Sequence, residues 1–155
     1  MTQRFILDEN VVILAQKVED DSGRHDITCL RLLTQIIQIC HTLVVDPILW
    51  KKYQSQLSGL TSSGSPVGVG VLRLLANASR TDGKIVVEPD ADSFPDEARI
   101  LPGSLDDLPI VRLTIATGAS LVTTDQALID DLRGCGLTTT YGLDLWSPDE
   151  AIDTL

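Results

Sequence analysis

Three aspartates stand where predicted secondary-structure elements begin or end. Asp8 directly follows the apolar run RFIL, and Asp125 directly follows the run SLVTT. Asp107 lies near the start of a predicted helix that precedes the second of these runs. If the two runs are neighbouring parallel strands, side chains at their carboxyl ends meet in one crevice. We therefore expect Asp8, Asp107 and Asp125 to form one carboxylate cluster.

A cluster of this kind favours a divalent cation. Carboxylates crowded into a small space repel one another, which raises some of their pKa values unless a cation is bound. Mg²⁺ and Mn²⁺ suit such a site because both are hard ions that prefer oxygen ligands and retain water molecules. Glu9, Asp46 and Asp106 are candidate supporting acids, since each stands beside the end of a predicted element.

Each acid also has a purely structural interpretation, and the sequence leaves both open. Asp107 and Asp125 can each be the N-cap of the helix that follows, because aspartate is favoured at that position. Asp130 and Asp131 are at least as well explained as part of a solvated helix face. The structural interpretation is weakest for Asp8, because a helix cap there would not explain the neighbouring acids.

The elements that must position the acids alternate between short apolar strands and helical patterns. Strands are predicted at 4–7, 42–45, 84–88 and 120–125, with one or two edge strands at 137–146. Helices are predicted at 10–19, 27–40, 48–60, 67–80, 105–118, 126–136 and 147–155, and loops at 61–66 and 89–104. Strands separated by helices pair in parallel through right-handed crossovers. This pattern predicts a single α/β domain over 1–155, a three-layer α/β/α sandwich with a central, mostly parallel sheet.

The charge balance limits how the chain could bind nucleic acid. The net charge is −10, from 22 acidic and 12 basic residues, which speaks against coating a long stretch of phosphate backbone by bulk attraction. A local basic surface remains compatible with this charge. The bases that are dense enough to form a phosphate-holding or RNA-binding edge are Lys51, Lys52, Arg73, Arg80 and Lys84. Any one of them is also explained as part of a solvated helix face.

Cysteine usage and hydropathy predict a cytoplasmic protein. Cys29, Cys40 and Cys135 are odd in number and far apart, which is typical of thiols in a reducing compartment. The apolar runs are shorter than the roughly 20 residues that a membrane span requires, and the first residues lack the apolar core of a signal peptide. No membrane association is therefore expected.

The two halves of the carboxylate pattern resemble a known family. FILDENVVILA, followed much later by DDLPIVRLTIATGASLVTTDQALI, is similar to the PIN domain, the nuclease fold of many toxin components of toxin–antitoxin pairs. Family members carry four acids, and Asp8, Asp107 and Asp125 match the first, third and fourth. The resemblance implies an Mg²⁺- or Mn²⁺-dependent endoribonuclease that hydrolyses RNA phosphodiester bonds. It also implies a homodimer inhibited by a small antitoxin protein.

The second acid of the family pattern is missing. LVVDPILWKKYQSQL resembles the family segment in which a strand leads into a helix with a Glu-Tyr pair, but here Lys52 precedes Tyr53. A charged lysine cannot ligate a cation, so Asp46 or Glu9 would have to compensate. The alternative is a catalytically degenerate PIN-like module that binds RNA or a protein partner without cleavage.

Overall fold

The structure is a computed structural model that describes residues 2–61, 66–88 and 106–155. The predicted loop at 89–104 and most of the predicted loop at 61–66 lie outside these ranges. In the described ranges, no helix combines the length and the apolar character that crossing a membrane would require.

One parallel sheet forms the centre of the described chain. Its strands are β1 (Arg4–Leu7), β2 (Thr42–Val45), β3 (Ile85–Val87), β4 (Ser120–Val122) and β5 (Leu145–Trp146). They lie in the order β3-β2-β1-β4-β5, and each neighbouring pair is parallel. The chain runs outward from β1 to β3, crosses back, and continues outward from β4 to β5. The order therefore reverses between β1 and β4, which is where ligands collect in open α/β sheets.

Helices cover both faces of this sheet. They are α1 (Glu9–Lys17), α2 (Thr28–Gln38), α3 (Pro47–Thr61), α4 (Pro66–Ser79), α5 (Leu108–Thr117), α6 (Gln126–Gly134), α7 (Leu137–Tyr141) and α8 (Pro148–Thr154). Contacts among α1, α2, α3 and α4 place these four helices on one face. Right-handed crossovers in the opposite direction place α5, α6 and α7 on the other face. The predicted three-layer α/β/α sandwich is confirmed.

The central strands are apolar because helices cover them from both sides. Every residue of β2 is buried, and so are Phe5, Ile6 and Leu7 of β1. In β4, Leu121 and Val122 are buried in the same core cluster. The carboxyl ends of β1 and β4 are therefore held by packing on both faces, and side chains that follow them start from fixed positions.

The prediction for 137–146 is wrong in its first half. Leu137–Tyr141 forms helix α7, and only Leu145–Trp146 forms a strand. Gly136 and Gly142 flank the helix with left-handed φ angles of 80° and 62°, so the chain turns sharply at both ends. The turns bury Leu137, which is 1% exposed. Tertiary burial of this leucine outweighs the strand preference of the three threonines.

Candidate functional site

Asp8 lies at the carboxyl end of β1 and is buried. Its backbone N–H donates to the Val122 carbonyl at 2.9 Å, which extends the β1–β4 pairing by one residue. Its Oδ2 accepts a hydrogen bond from Thr123 Oγ1 at 2.8 Å, and the residue is 6% exposed. Burial raises the pKa of Asp8, and the Thr123 hydrogen bond opposes this rise. A buried carboxylate with a single side-chain donor is a charge that still requires a counter-ion.

Thr123 joins two of the predicted acids. It is fully buried, and its Oγ1 also accepts from the Asp125 backbone N–H at 3.0 Å. The hydroxyl therefore bridges Asp8, which follows β1, and Asp125, which follows β4. Sequence reasoning did not assign this role, although the pattern TTD contains the signal: a hydroxyl residue two positions before the aspartate can bond back to its N–H.

Asp125 has the predicted capping role and also belongs to the cluster. Its Oδ1 accepts from the Leu128 backbone N–H at 3.1 Å, which makes it the N-cap of α6. Its charge nevertheless acts on Asp107, where it raises the pKa. The two interpretations that the sequence left open for Asp125 are therefore compatible with each other.

Asp107 stands at the N-cap position of α5, but its side chain makes no capping hydrogen bond. Burial, followed by the charges of Asp8 and Asp125, raises the pKa of Asp107 to about 6. Capping therefore does not account for this side chain. Because the charges of both Asp8 and Asp125 act on Asp107, the fold must bring these three residues, which are far apart in sequence, near one another.

The candidate supporting acids lie around the same place. A small cavity of about 10 Å³ at the sheet edge is lined by Asp8, Asp46, Ile48, Leu49, Lys52, Asp106, Asp107, Pro109 and Ile110. Asp46 is buried, and its Oδ1 accepts from the Leu49 backbone N–H at 2.6 Å at the start of α3. The cavity volume of about 10 Å³ corresponds to about one water-sized sphere.

Helix α3 brings a cation to this cavity. Lys52 Nζ lies 3.5 Å from Glu9 Oε1, so the lysine forms an ion pair with the acid that follows Asp8. The next residue, Tyr53, is buried, and its hydroxyl donates a hydrogen bond to the Leu7 carbonyl. The tyrosine thus fixes α3 against the end of β1 and holds Lys52 beside the carboxylates.

The other candidate RNA-binding bases are spread over the surface. Lys51 is exposed on α3, Arg73 is exposed on α4, and Arg80 is exposed just after α4. Arg80 and Lys84 precede β3 and therefore lie toward the amino-terminal edge of the sheet, opposite the aspartates. Lys84 donates from Nζ to the Ile39 carbonyl. Lys51 and Lys52 lie on α3, a helix that lines the carboxylate cavity. An RNA-binding role stays a prediction for all of these bases.

The donor set fits Mg²⁺ or Mn²⁺ in its chemistry. The oxygens belong to carboxylates, which hard divalent cations prefer, and the pKa of Asp107 is raised because burial and like charges disfavour its ionised form. Asp8, Asp107 and Asp125 would hold the ion, with Asp46 and Asp106 in support. Within the ranges that the structure describes, no group of three or more His, Cys, Asp or Glu side chains is placed so that it could hold a metal ion.

Comparisons with known proteins do not identify a family for this chain, so its class is described by its fold and its candidate site. A scan against models of protein families and a search of curated proteins each gave no match. The chain is an α/β protein with helices on both faces of a parallel sheet and a carboxylate cluster where the strand order reverses.

Thr123→Val tests the bridge between the two strand ends. The substitution keeps the shape of the side chain but leaves Asp8 Oδ2 without its donor and the Asp125 N–H without its acceptor. We expect the free energy of unfolding to fall by about 1–3 kcal/mol, the cost of unpaired buried polar groups. Urea denaturation measures this loss. Thr124→Val, at the adjacent and partly exposed position, is the matched control, and equal losses in both variants would contradict the bridge.

The raised pKa of Asp107 predicts a pH dependence of stability in the metal-free protein. Because the folded pKa of about 6 lies above the ordinary value of 3.8, the stability contributed by the protonated form is present below pH 3.8 and lost as the pH rises through about 6. Asp107→Asn removes this dependence. As the pH rises from about 4 to about 6, its free energy of unfolding should therefore increase relative to that of the wild type, by no more than about 1 kcal/mol because solvent screens the group.

Urea denaturation with a chelator present measures this difference at each pH. A constant difference between the two proteins over this range would contradict the raised pKa.

Proposed function

We propose that this protein is a metal-dependent ribonuclease of the PIN type that hydrolyses RNA phosphodiester bonds. The observation that carries the proposal is the convergence of Asp8, Asp107 and Asp125 at one sheet edge. These positions match three of the four acids of the family that the sequence resembles. The fold is also the one that the resemblance implies, although a shared fold by itself does not define an activity.

The residues divide the work of hydrolysis between them. Asp8, Asp107 and Asp125 would hold a divalent ion, and the hydrogen bond from Thr123 fixes the position of the Asp8 carboxylate. When bound, Mg²⁺ or Mn²⁺ supplies activation of water at neutral pH and neutralisation of the charge that builds on the phosphate. Hydrolysis adds one water across the P–O bond, and the 3′-hydroxyl of one fragment is the leaving group.

The biological setting is part of the same proposal. The resemblance supports the toxin half of a toxin–antitoxin pair, acting in the cytoplasm as a homodimer that a small antitoxin protein inhibits. These statements rest on the family alone.

A second candidate function is favoured by Lys52. This lysine occupies the helix position at which the family carries an acid, and it forms an ion pair with Glu9. A pocket that has lost one ligand and gained a cation suits a module that binds RNA or a protein partner without cleavage. The two candidates predict the same fold and differ in activity.

Incubation of labelled, structured RNA with the protein and Mn²⁺ separates the two candidates. A ribonuclease gives fragments that are absent when Asp107→Asn, purified in the same way, replaces the wild type. Asp82→Asn is the matched control, because Asp82 is exposed and precedes β3 at the other edge of the sheet. Folded wild-type protein that leaves several RNAs intact would favour the silent module, and equal cleavage by Asp107→Asn would point to a contaminant.

A further inference from the structure

Lys52 lies among acids although it is a base, and its position is set by packing. Its side chain is 41% exposed, and its ammonium group lies 3.5 Å from Glu9 Oε1. It lines the same cavity as Asp8, Asp46 and Asp107. Lys52 is the only base among the described residues that line this cavity.

The position of Lys52 does not depend on the ion pair alone. Tyr53, the next residue on α3, is 1% exposed and donates its hydroxyl hydrogen bond to the Leu7 carbonyl. The ring of Trp50 packs edge-on against that of Tyr53, with the centroids 6.3 Å apart. A buried aromatic anchor thus holds this turn of α3 against the end of β1, so the backbone of Lys52 stays close to the carboxylates.

We propose that Lys52 is a tethered counter-ion of the carboxylate cavity, which balances part of its acid charge in the metal-free protein and thereby weakens the binding of a divalent ion. This inference rests on the metal site of the proposed function. Unlike a free ion, the ammonium group is covalently attached to the chain, so its positive charge stays beside the carboxylates. A divalent ion must therefore bind beside a like charge, which repels it. The binding free energy that the acids provide is also smaller, because the lysine already relieves part of their mutual repulsion.

The cavity brings the Lys52 side chain beside acids other than Glu9. Four acids line the same cavity as Lys52, namely Asp8, Asp46, Asp106 and Asp107. Lys51, one residue earlier, is exposed and does not line this cavity; it lines a neighbouring groove together with Lys52, Ser55 and Gln56.

Three variants test the counter-ion. Lys52→Met removes the charge but keeps a long side chain with a similar helix propensity. Lys52→Arg keeps the charge. Lys51→Met removes one charge from the same helix outside the cavity, so it controls for the change in net charge.

The first measurement is Mn²⁺ binding by isothermal titration. Lys52→Met should bind on the order of tenfold more tightly than the wild type, since one charge close to a divalent ion is removed. Lys52→Arg should stay within about twofold of the wild type because it keeps the charge. Lys51→Met should do the same because salt screens an exposed charge outside the cavity. Equal affinities of Lys52→Met and Lys51→Met would overturn the proposal.

The second measurement needs no metal. With a chelator present, Lys52→Met should lower the folding equilibrium constant by about two- to fivefold more than Lys51→Met does, as expected for a partly exposed charge interaction. The excess should shrink between about 0.02 M and about 0.5 M NaCl, because salt screens the carboxylate repulsion. Equal stabilities of the two variants would overturn the counter-ion role. If no protein binds Mn²⁺, the proposed metal site fails, and this stability comparison alone decides the role of Lys52.

Discussion

Asp8→Asn and Asp125→Asn are each expected to weaken Mn²⁺ binding by at least on the order of a hundredfold. Each substitution removes a negative charge from the cluster, and even the loss of an outer partner of a metal ligand typically costs about 10- to 100-fold in affinity. Isothermal titration of the wild type and both variants with Mn²⁺ measures the effect. It is the largest functional change that a single substitution in this site should produce.

The fold should tolerate both substitutions, so the result reports on charge. An asparagine oxygen at position 8 can still accept the Thr123 hydroxyl, and asparagine is as good an N-cap as aspartate at position 125. Circular dichroism and urea denaturation check that both variants stay folded. Asp153→Asn, which changes an exposed acid on α8, is the control for the loss of one charge. Wild-type affinity in both cluster variants would remove the metal site from this edge of the sheet.

Tyr53→Ala is expected to give the largest loss of stability, about 3–5 kcal/mol in the free energy of unfolding. The ring is buried between α3 and the sheet, and its removal leaves a cavity in the core. Burial also keeps the phenol neutral, because it raises the pKa of Tyr53 well above its ordinary value. Urea denaturation measures the loss.

Tyr53→Phe separates the hydroxyl from the ring. This variant keeps the packing but leaves the buried Leu7 carbonyl without its donor, which should cost about 1–3 kcal/mol. Since Leu7 directly precedes Asp8, Mn²⁺ affinity should also fall in Tyr53→Phe. Losses below about 0.5 kcal/mol, the range of ordinary surface substitutions, would show that the hydroxyl does not hold the end of β1.

Local patterns predicted the elements that carry the site. The apolar run before Asp8 is a strand, as predicted, whereas the strand predicted at 120–125 ends at Val122, so that Asp125 follows it after two further residues. Asp125 caps α6, and Gly118 ends α5 with a left-handed φ of 63°. These features depend on a few consecutive residues, so sequence alone can specify them.

Features that depend on distant residues were missed. The hydroxyl of Thr123 meets Asp8 across 115 positions of sequence, and no local pattern encodes that distance. The ion pair between Lys52 and Glu9 was not predicted either. The helix at Leu137–Tyr141 was missed because its threonines favour a strand when neighbours are ignored.

By itself, the sequence determined that parallel strands alternate with helices and that aspartates stand at the strand ends. The tertiary structure decided that β1 and β4 are neighbours and that the charges of Asp8 and Asp125 act on Asp107. It also decided that Lys52 lines the same cavity as Asp8 and Asp107. The reason is physical. Hydrophobic periodicity records which side of an element is buried, but which elements become neighbours is set by how the whole core packs.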